Sequence, residues 1–415
     1  MNRFVLLWAA PLLLALTACP SKKKESSQSA VAPASAPADF REPGYVLYRG
    51  LLAGAADSLT LNLTTAPARL GSEAAGGISG SYYGADGEPR ELQQASSAGR
   101  PHPDSLLLAY YDRAKLDGNG NEQETRWRLR REPDGRLAGT VGGQAIQLRP
   151  VRPALALAVR TFADSVAAYP GRARSPYGHI GLQTLEPVGT SPVALAVAAN
   201  LRRQHRGDTL PNLAVPGLAQ LWQQQRTDFI KFYREDATAL AEDLAADTAA
   251  TAPDSADTYR PSMRYESQSS ASVICQQGHL LSVRLFDYSY TGGAHGNYAS
   301  TVRSFDLRTG KVLAFDDIFR PGARTQLLPL LERGVRRTLG IGDNERLDTQ
   351  LLDNDMRLTT NVCLTPGGAL FVYVPYEITA YALGEVSVFV PLAELRPLLR
   401  EGLPLPGSGT RMAKR

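Results

Sequence analysis

The residue types that most often carry catalysis are scattered along this chain of 415 residues. No two of its five histidines lie within ten residues of each other: His102, His179, His205, His279 and His295. A zinc motif of the His-Glu-x-x-His type needs two imidazoles one helical turn apart, and no such pair occurs. Neither a Cys-x-x-Cys pair nor the Gly-x-Ser-x-Gly turn of serine hydrolases is present. The sequence therefore predicts no catalytic residues, no metal site and no cofactor, and we expect a protein that is not an enzyme.

One glycine-rich segment, residues 288–297, places a histidine among tyrosines with the sequence YSYTGGAHGN. Gly292, Gly293 and Gly296 allow positive φ or close backbone approach, which predicts a tight connection at the end of a strand that includes Tyr290. His295 in this connection could act as a ligand or a base. A histidine that hydrogen-bonds its own turn is the simpler interpretation.

A second aromatic segment follows much later, at residues 376–384, with the sequence YEITAYALG. Its amphipathic rings, Tyr376 and Tyr381, can pack on a neighbouring helix or form part of a binding surface. The sequence leaves these two interpretations open. Tyr290, Gly292, Gly293, His295, Gly296, Tyr376 and Tyr381 are thus the candidate binding residues.

The N-terminus is typical of an exported protein. Arg3 precedes a short apolar run that ends at Leu16-Thr17-Ala18-Cys19, which is the pattern of a secretory signal peptide over residues 1–18. The run is shorter than the roughly 20 residues that span a bilayer. Its last four residues resemble the lipobox of bacterial lipoproteins, in which the cysteine is lipidated and becomes the first residue of the mature chain. This resemblance implies a membrane anchor on Cys19 and a location in the cell envelope, on the periplasmic face of a membrane or at the cell surface.

Residues 19–42 are rich in lysine, serine, alanine and proline, and they are too polar to bury a core. We expect a flexible tether between the membrane and the folded part. The three lysines at 22–24 can contact anionic headgroups or simply keep the tether solvated.

The bulk composition is ordinary for a folded protein, with 43% hydrophobic and 21% charged residues. The net charge of +4 is small and scattered, which argues against nucleic acid as a partner. Two further cysteines, Cys275 and Cys363, lie in strand-like surroundings. In an oxidising compartment they can form a disulfide or remain unlinked core thiols, and both readings stay open.

The fold expectation is α+β with an all-β region first. Over residues 43–152, short alternating segments separated by turns such as Asp134-Gly135 predict a small antiparallel sandwich or barrel. Residues 154–200 look like mixed strand and coil. An apolar stripe predicts a long helix after Pro216, and a low-complexity loop follows it at 249–256.

A second half begins near residue 261 with returning strands. Leu327, Leu331, Val335 and Leu339 recur every fourth residue and predict a helix over 323–339, which Pro329 could kink. The carboxylates Asp316 and Asp317 precede this helix, where they favour its N-terminus. Residues 370–374 and 386–390 are the segments with the highest strand propensity. We expect a disordered tail over 403–415.

Four blocks in this region carry a resemblance to a known family: YSYTGGAHGN at 288–297, FDLRTGKVL at 305–313, DDIF at 316–319 and YEITAYALG at 376–384. In this order they resemble the extracytoplasmic domain of RsiV-type anti-sigma factors. That domain also precedes the catalytic domain of PdaC-type peptidoglycan deacetylases. The resemblance covers residues 154–402, with a first half at 154–260 and a second at 261–402. It implies an α+β fold in an envelope protein, and in RsiV-type members this region binds lysozyme.

The chain also departs from both groups. An anti-sigma factor needs a cytoplasmic segment and a transmembrane helix, whereas this N-terminus predicts a lipid anchor. A PdaC-type enzyme needs a further metal-binding domain, for which the residues after Gly402 are too few. We therefore expect a non-catalytic binding or sensing module for a lysozyme-like protein or a cell-wall glycan. Two alternatives remain: the β-region could carry a lipid or other apolar ligand, and, less favoured, the chain could hydrolyse cell-wall material.

Overall fold

The computed structural model describes residues 39–66, 77–95, 102–116, 121–172, 175–207, 214–248 and 263–405. The expectations for the signal peptide, Cys19, most of the tether and the loop at 249–256 lie outside the described residues. Within the described part, no helix has both the length and the apolar character that crossing a bilayer requires.

The N-terminal region is a closed barrel of eight antiparallel strands. Of the two predicted architectures, a sandwich and a barrel, the structure therefore has the barrel. Each strand pairs with the next, and β8 closes on β1. The strands are β1 (Gly44–Leu52), β2 (Leu59–Thr65), β3 (Ile78–Tyr83), β4 (Arg90–Gln94), β5 (Ser105–Leu116), β6 (Glu122–Arg131), β7 (Leu137–Val141) and β8 (Gln144–Val151).

Large side chains fill the interior of the barrel. Alternate leucines of β2 point inward, as their spacing predicts, and they pack with Phe40, Tyr48 and Trp127, all fully buried. Eight strands enclose just enough space for such a core. The packed interior counts against the alternative that the barrel carries a lipid or another apolar ligand inside it.

A six-stranded sheet follows, and its strand order along the sheet is β14-β13-β12-β11-β10-β9. All neighbours are antiparallel except β10 and β11, which two helices connect. The elements are β9 (Leu157–Ala167), β10 (Tyr177–Pro187), α1 (Pro192–Arg206), α2 (Leu218–Thr248), β11 (Glu266–Gln277), β12 (Leu280–Tyr290), β13 (Asn297–Asp306) and β14 (Lys311–Leu313).

The helix α1 corrects the expectation of mixed strand and coil over residues 154–200. Ser191 caps its N-terminus by accepting a hydrogen bond from the Ala194 amide at 3.2 Å, Pro192 occupies the first turn, and Gly207 ends it with φ 68°. These are helix boundary signals that the sequence contained. The stripe that α1 buries is made of small residues, and such a stripe gives only a weak apolar period.

The remaining elements form a small antiparallel sheet covered by helices. They are α3 (Phe315–Ile318), α4 (Ala323–Leu339), β15 (Val362–Thr365), β16 (Gly368–Tyr373), β17 (Val386–Pro391) and α5 (Leu392–Leu395). The predicted helix over 323–339 is confirmed, with Leu327, Leu331 and Val335 fully buried. Pro329 lies inside it without ending it. Asp316 and Asp317 begin the separate short helix α3 rather than α4, and Asp317 accepts a hydrogen bond from the Ala314 amide at 3.0 Å.

The chain stays packed slightly beyond the predicted start of the tail. Leu403 is buried in the core of the small sheet, and Leu405 packs against the same core. Residues 406–415 lie outside the described residues.

The barrel and the α+β region belong to one compact unit. Strand β11 has a bulge at Ile274, whose carbonyl oxygen accepts hydrogen bonds from Asn62 Nδ2 (3.2 Å) and from the Ser81 hydroxyl of the barrel. This contact explains why Asn62 of β2 is as buried as the leucines of that strand. Nearby, Gly87 of the barrel meets Gly367 so closely that a Cβ on Gly87 would lie 2.2 Å from the Gly367 nitrogen.

Candidate binding surface

The two aromatic segments, 80 residues apart in sequence, meet at one end of the six-stranded sheet. The hairpin between β12 and β13 contributes His295 and Tyr298, and the loop between β16 and β17 contributes Tyr376 and Tyr381. We call these four side chains the aromatic surface. The structure thus assembles His295, Tyr376 and Tyr381, which were predicted separately, and adds Tyr298.

Tyr381 lies at the centre of the aromatic surface. Its ring stacks on the His295 imidazole with centroids 3.9 Å apart, meets Tyr298 edge-on at 5.6 Å, and lies 5.8 Å from the Tyr376 ring. Its hydroxyl donates to the Gly296 carbonyl oxygen at 2.5 Å, and the same oxygen lies 3.0 Å from His295 Nδ1. Since a carbonyl only accepts, His295 donates through Nδ1. This agrees with the interpretation of His295 as a residue that hydrogen-bonds its own turn.

The glycines of the hairpin have the conformations that the sequence predicted. Gly292 and Gly293 have φ of 86° and 99°. A Cβ on Gly296 would lie 2.5 Å from the Tyr288 ring, so only glycine lets that ring approach the backbone. Tyr290 donates its hydroxyl to the Gly293 carbonyl oxygen at 3.0 Å and closes the hairpin. Tyr290 therefore stabilises the turn rather than joining the stacked rings.

Tyr376 is the most exposed tyrosine of the aromatic surface, at 58%. Its backbone has φ 69°, in the left-handed region that a residue with a Cβ rarely adopts. A turn holds it there: the Tyr376 amide donates to the Thr379 carbonyl oxygen at 3.0 Å, and Glu377 Oε2 accepts from the Val374 amide at 3.0 Å. A strained backbone that projects an exposed ring is a frequent feature of functional sites.

The barrel stabilises the loop that carries Tyr381. Arg113 on β5 donates from one guanidinium nitrogen to the carbonyl oxygens of Leu383 (3.1 Å) and Glu385 (2.5 Å), directly after Tyr381. The Glu385 carboxylate in turn pairs with the buried guanidinium of Arg284 at 3.0 Å. These contacts join residues that are far apart in sequence, and no local pattern could have revealed them.

The two cysteines are free thiols in the core, so the disulfide reading is wrong for this structure. Both are fully buried, and burial raises the pKa of the Cys275 thiol to about 12. Cys363 lies in a separate apolar cluster with Val302 and Val372. Both cysteines lie on buried strands, which explains the strand-like sequence around each of them.

A serine, a histidine and an aspartate come together where helix α1 contacts the six-stranded sheet. His205 of α1 has Nδ1 2.9 Å from the Ser269 hydroxyl, and Asp287 accepts a hydrogen bond from the same hydroxyl. An ionised carboxylate only accepts, so Ser269 gives its single proton to Asp287 and accepts from His205 Nδ1–H. In this direction the imidazole does not act as a base toward the hydroxyl. Burial lowers the pKa of His205 to about 4, which keeps the ring neutral.

No group of three or more histidine, cysteine or acidic side chains in the described part of the chain is placed to hold a metal ion.

Comparison with known proteins relates two segments of the chain to families. Residues 209–298 match the family described as Deacetylase PdaC, and residues 316–393 match a family described as a protein of unknown function, DUF3298. His295 and Tyr298 fall in the first match, and Tyr376 and Tyr381 in the second. The aromatic surface is therefore built jointly by the two matched segments.

One solved structure shows the same fold over the matched part. A DUF3298 family member from Bacteroides fragilis superposes with a TM-score of 0.51 at 22% identity, covering 60% of this chain and 94% of that one. A DUF3298 family protein from Pseudomonas aeruginosa matches at 20% identity with a TM-score of 0.41, covering 60% of this chain and 97% of that one. No curated protein matches the sequence. The C-terminal region of this chain thus contains a PdaC domain followed by an RsiV-like DUF3298 domain, which relates it to extracytoplasmic cell-envelope proteins of the RsiV and PdaC types.

Proposed function

We propose that this protein is a non-catalytic recognition module of the cell envelope, which binds a lysozyme-like protein through the aromatic surface. The observation that carries the proposal is the stacking of His295, Tyr376 and Tyr381 into one partly exposed patch. The relation to RsiV-type proteins supplies the class of partner.

The chemistry of the patch favours a protein over a glycan as its ligand. Tyrosine is enriched at the centres of protein interfaces, because it buries a large area with few rotatable bonds and keeps a polar tip. Here the hydrogen bond from Tyr381 to Gly296 and the stacked His295 ring restrict the side chains before binding. Little conformational entropy is then lost when a partner docks.

Titration calorimetry of the chain with lysozyme tests this proposal. Tyr376→Ala removes an exposed ring at the edge of the patch, and we expect it to weaken binding by about tenfold or more, as for an interface hot spot. Tyr177→Ala is the matched control, since Tyr177 is similarly exposed, at 50%, but lies on β10 away from the patch. It should bind like the unmodified chain.

Two outcomes would contradict the proposal. One is the absence of lysozyme binding together with binding of peptidoglycan fragments that Tyr376→Ala abolishes, which would make the patch a glycan site. The other is lysozyme binding that both tyrosine variants leave unchanged.

We further propose that a lipid on Cys19 anchors the module in the membrane. The lipobox-like segment and the polar tether support this. Mass analysis of the protein from its native membrane should find Cys19 as the first residue with its fatty acyl chains. A chain that retains residues 1–18 would refute the anchor and leave the binding proposal standing.

A further inference from the structure

A groove of about 620 Å³ lies between helix α2 and the end of the six-stranded sheet that carries the β12–β13 hairpin. Its volume is in the usual range for small-ligand sites. The groove adjoins the aromatic surface: Tyr298 belongs to both, whereas His295, Tyr376 and Tyr381 do not line the groove. In the strand register Asp287 pairs with Ala299 and Ser289 with Asn297, and the Tyr288–Tyr298 pair lies between these two pairs.

The floor of the groove is polar and made of small residues. Cross-strand pairs place Ser267 beside Ser289 and Ser269 beside Asp287, and Asn297 of β13 extends the same row. Hydroxyl, amide and carboxylate groups therefore cover this end of the sheet, whereas an apolar layer covers the rest of it. Such a floor offers many donors and acceptors to a ligand that has several hydroxyl groups.

One wall of the groove is formed by α2. Gln225, Asp228, Phe229 and Phe232 follow the spacing of one helix face and all line the groove. Phe232 is 51% exposed, an unusual position for a phenylalanine. An exposed aromatic face beside polar groups is suited to stack on the flat apolar side of a sugar ring or to attract a cation.

The charge in the groove is uncompensated. Asp228, Glu266 and Asp287 line it, none of them makes an ion pair with a described residue, and none of the lining residues is basic. Loss of solvent in the groove raises the pKa of Glu266 and of Asp287, the latter against the lowering effect of the Ser269 hydroxyl. No group of three or more histidine, cysteine or acidic side chains in the described residues, these carboxylates included, is placed to hold a metal ion. They therefore suit a ligand with positive charges spread along its length.

We propose that this groove binds a sugar chain that bears free amino groups. Phe232 stacks on a sugar ring, the row of serines and Asn297 binds the hydroxyl groups, and the carboxylates accept from the ammonium groups. The many hydroxyl and amide groups of the floor favour a sugar over a basic peptide, whose lysine side chains carry only an ammonium. This inference goes beyond the proposed binding of a protein and does not depend on it.

The test is calorimetric titration of the whole chain with short oligomers of glucosamine and of N-acetylglucosamine of equal length. We expect the glucosamine oligomer to bind about tenfold more tightly, because only it carries the ammonium groups that pair with partly desolvated carboxylates. Phe232→Ala should weaken both oligomers by about fivefold. Asp287→Asn should remove most of the preference for the amine and keep the binding of the acetylated oligomer.

Two control variants separate this site from other effects. Asp57→Asn removes a carboxylate from an exposed turn between β1 and β2 and should change neither affinity. Tyr376→Ala, on the aromatic surface, should leave oligomer binding intact even where it abolishes lysozyme binding. Equal affinity for the two oligomers, no binding of either, or tighter binding of an oligolysine of equal length would each overturn the proposal.

Discussion

Tyr376 is, among the described residues, the one non-glycine with a positive φ. An L-residue in this region is less stable than glycine by roughly 1 kcal/mol. The turn around Thr379 therefore keeps a conformation that the side chain disfavours, and the ring, 58% exposed, gives the fold little compensating burial. Under the proposed function, binding of a partner by the ring accounts for its position.

This view predicts that binding and stability separate at Tyr376. Tyr376→Gly and Tyr376→Ala both remove the ring, so both should lose partner binding, but the glycine variant should be about 1 kcal/mol more stable than the alanine variant. Chemical denaturation of the two variants measures the difference. An alanine variant as stable as the glycine variant would show that the backbone is not strained at this position.

At the scale of elements, strand β5 holds the loop that carries Tyr381. Arg113 binds the carbonyl oxygens of Leu383 and Glu385 in that loop, and a hypothetical Cβ on Gly384, between them, would lie 3.4 Å from its guanidinium. The barrel thus restricts the 381–385 backbone although it contributes no ring to the aromatic surface.

We therefore expect Arg113→Ala to weaken lysozyme binding while costing only about 1 kcal/mol of stability, since the side chain is partly exposed. Amide hydrogen exchange should become faster at residues 381–385 and stay unchanged within the barrel. Arg126→Ala is the matched control, because Arg126 pairs with Glu124 on the barrel surface. An unchanged exchange rate at 381–385 would show that Arg113 does not position the loop.

How far the sequence predicts these elements depends on how local their determinants are. The helix over 323–339 follows from its apolar period and the strands near 370 and 386 follow from their high strand propensity, and the structure has all three. The barrel follows from alternation and turns, but its choice over a sandwich depends on the pairing of β1 with β8 across about 100 residues. The contact between His295 and Tyr381 and the groove beside Phe232 both depend on tertiary packing. The sequence could therefore identify His295 and Tyr381 as candidates but not their contact, and it did not predict the groove.

On the scale of the whole molecule, the barrel and the α+β region share buried surface. Tyr83 of β3 belongs to the same core as Phe371 and Val388 of the small sheet, and Tyr45 of β1 packs in the core of the six-stranded sheet. A boundary near residue 153 therefore separates two architectures in sequence but not two independent cores.

Calorimetry should accordingly show one cooperative unfolding transition for the whole chain, with equal calorimetric and van't Hoff enthalpies. Asn62→Ala removes a hydrogen bond to Ile274 at the centre of the shared surface and should shift that single transition to lower temperature by a few degrees. A second transition, or a shift confined to part of the heat uptake, would show that the two regions unfold separately.

The contact between Gly87 and Gly367 also restricts how this architecture can be altered. At this contact neither glycine has space for a methyl group. Any residue larger than glycine at either position therefore forces the barrel away from the small sheet. Because Arg113 on the barrel holds the loop that carries Tyr381, we expect such a displacement to disturb that loop as well. A protein engineer who replaced the barrel with an unrelated module would therefore lose the platform that shapes the recognition loop, even with every tyrosine left in place.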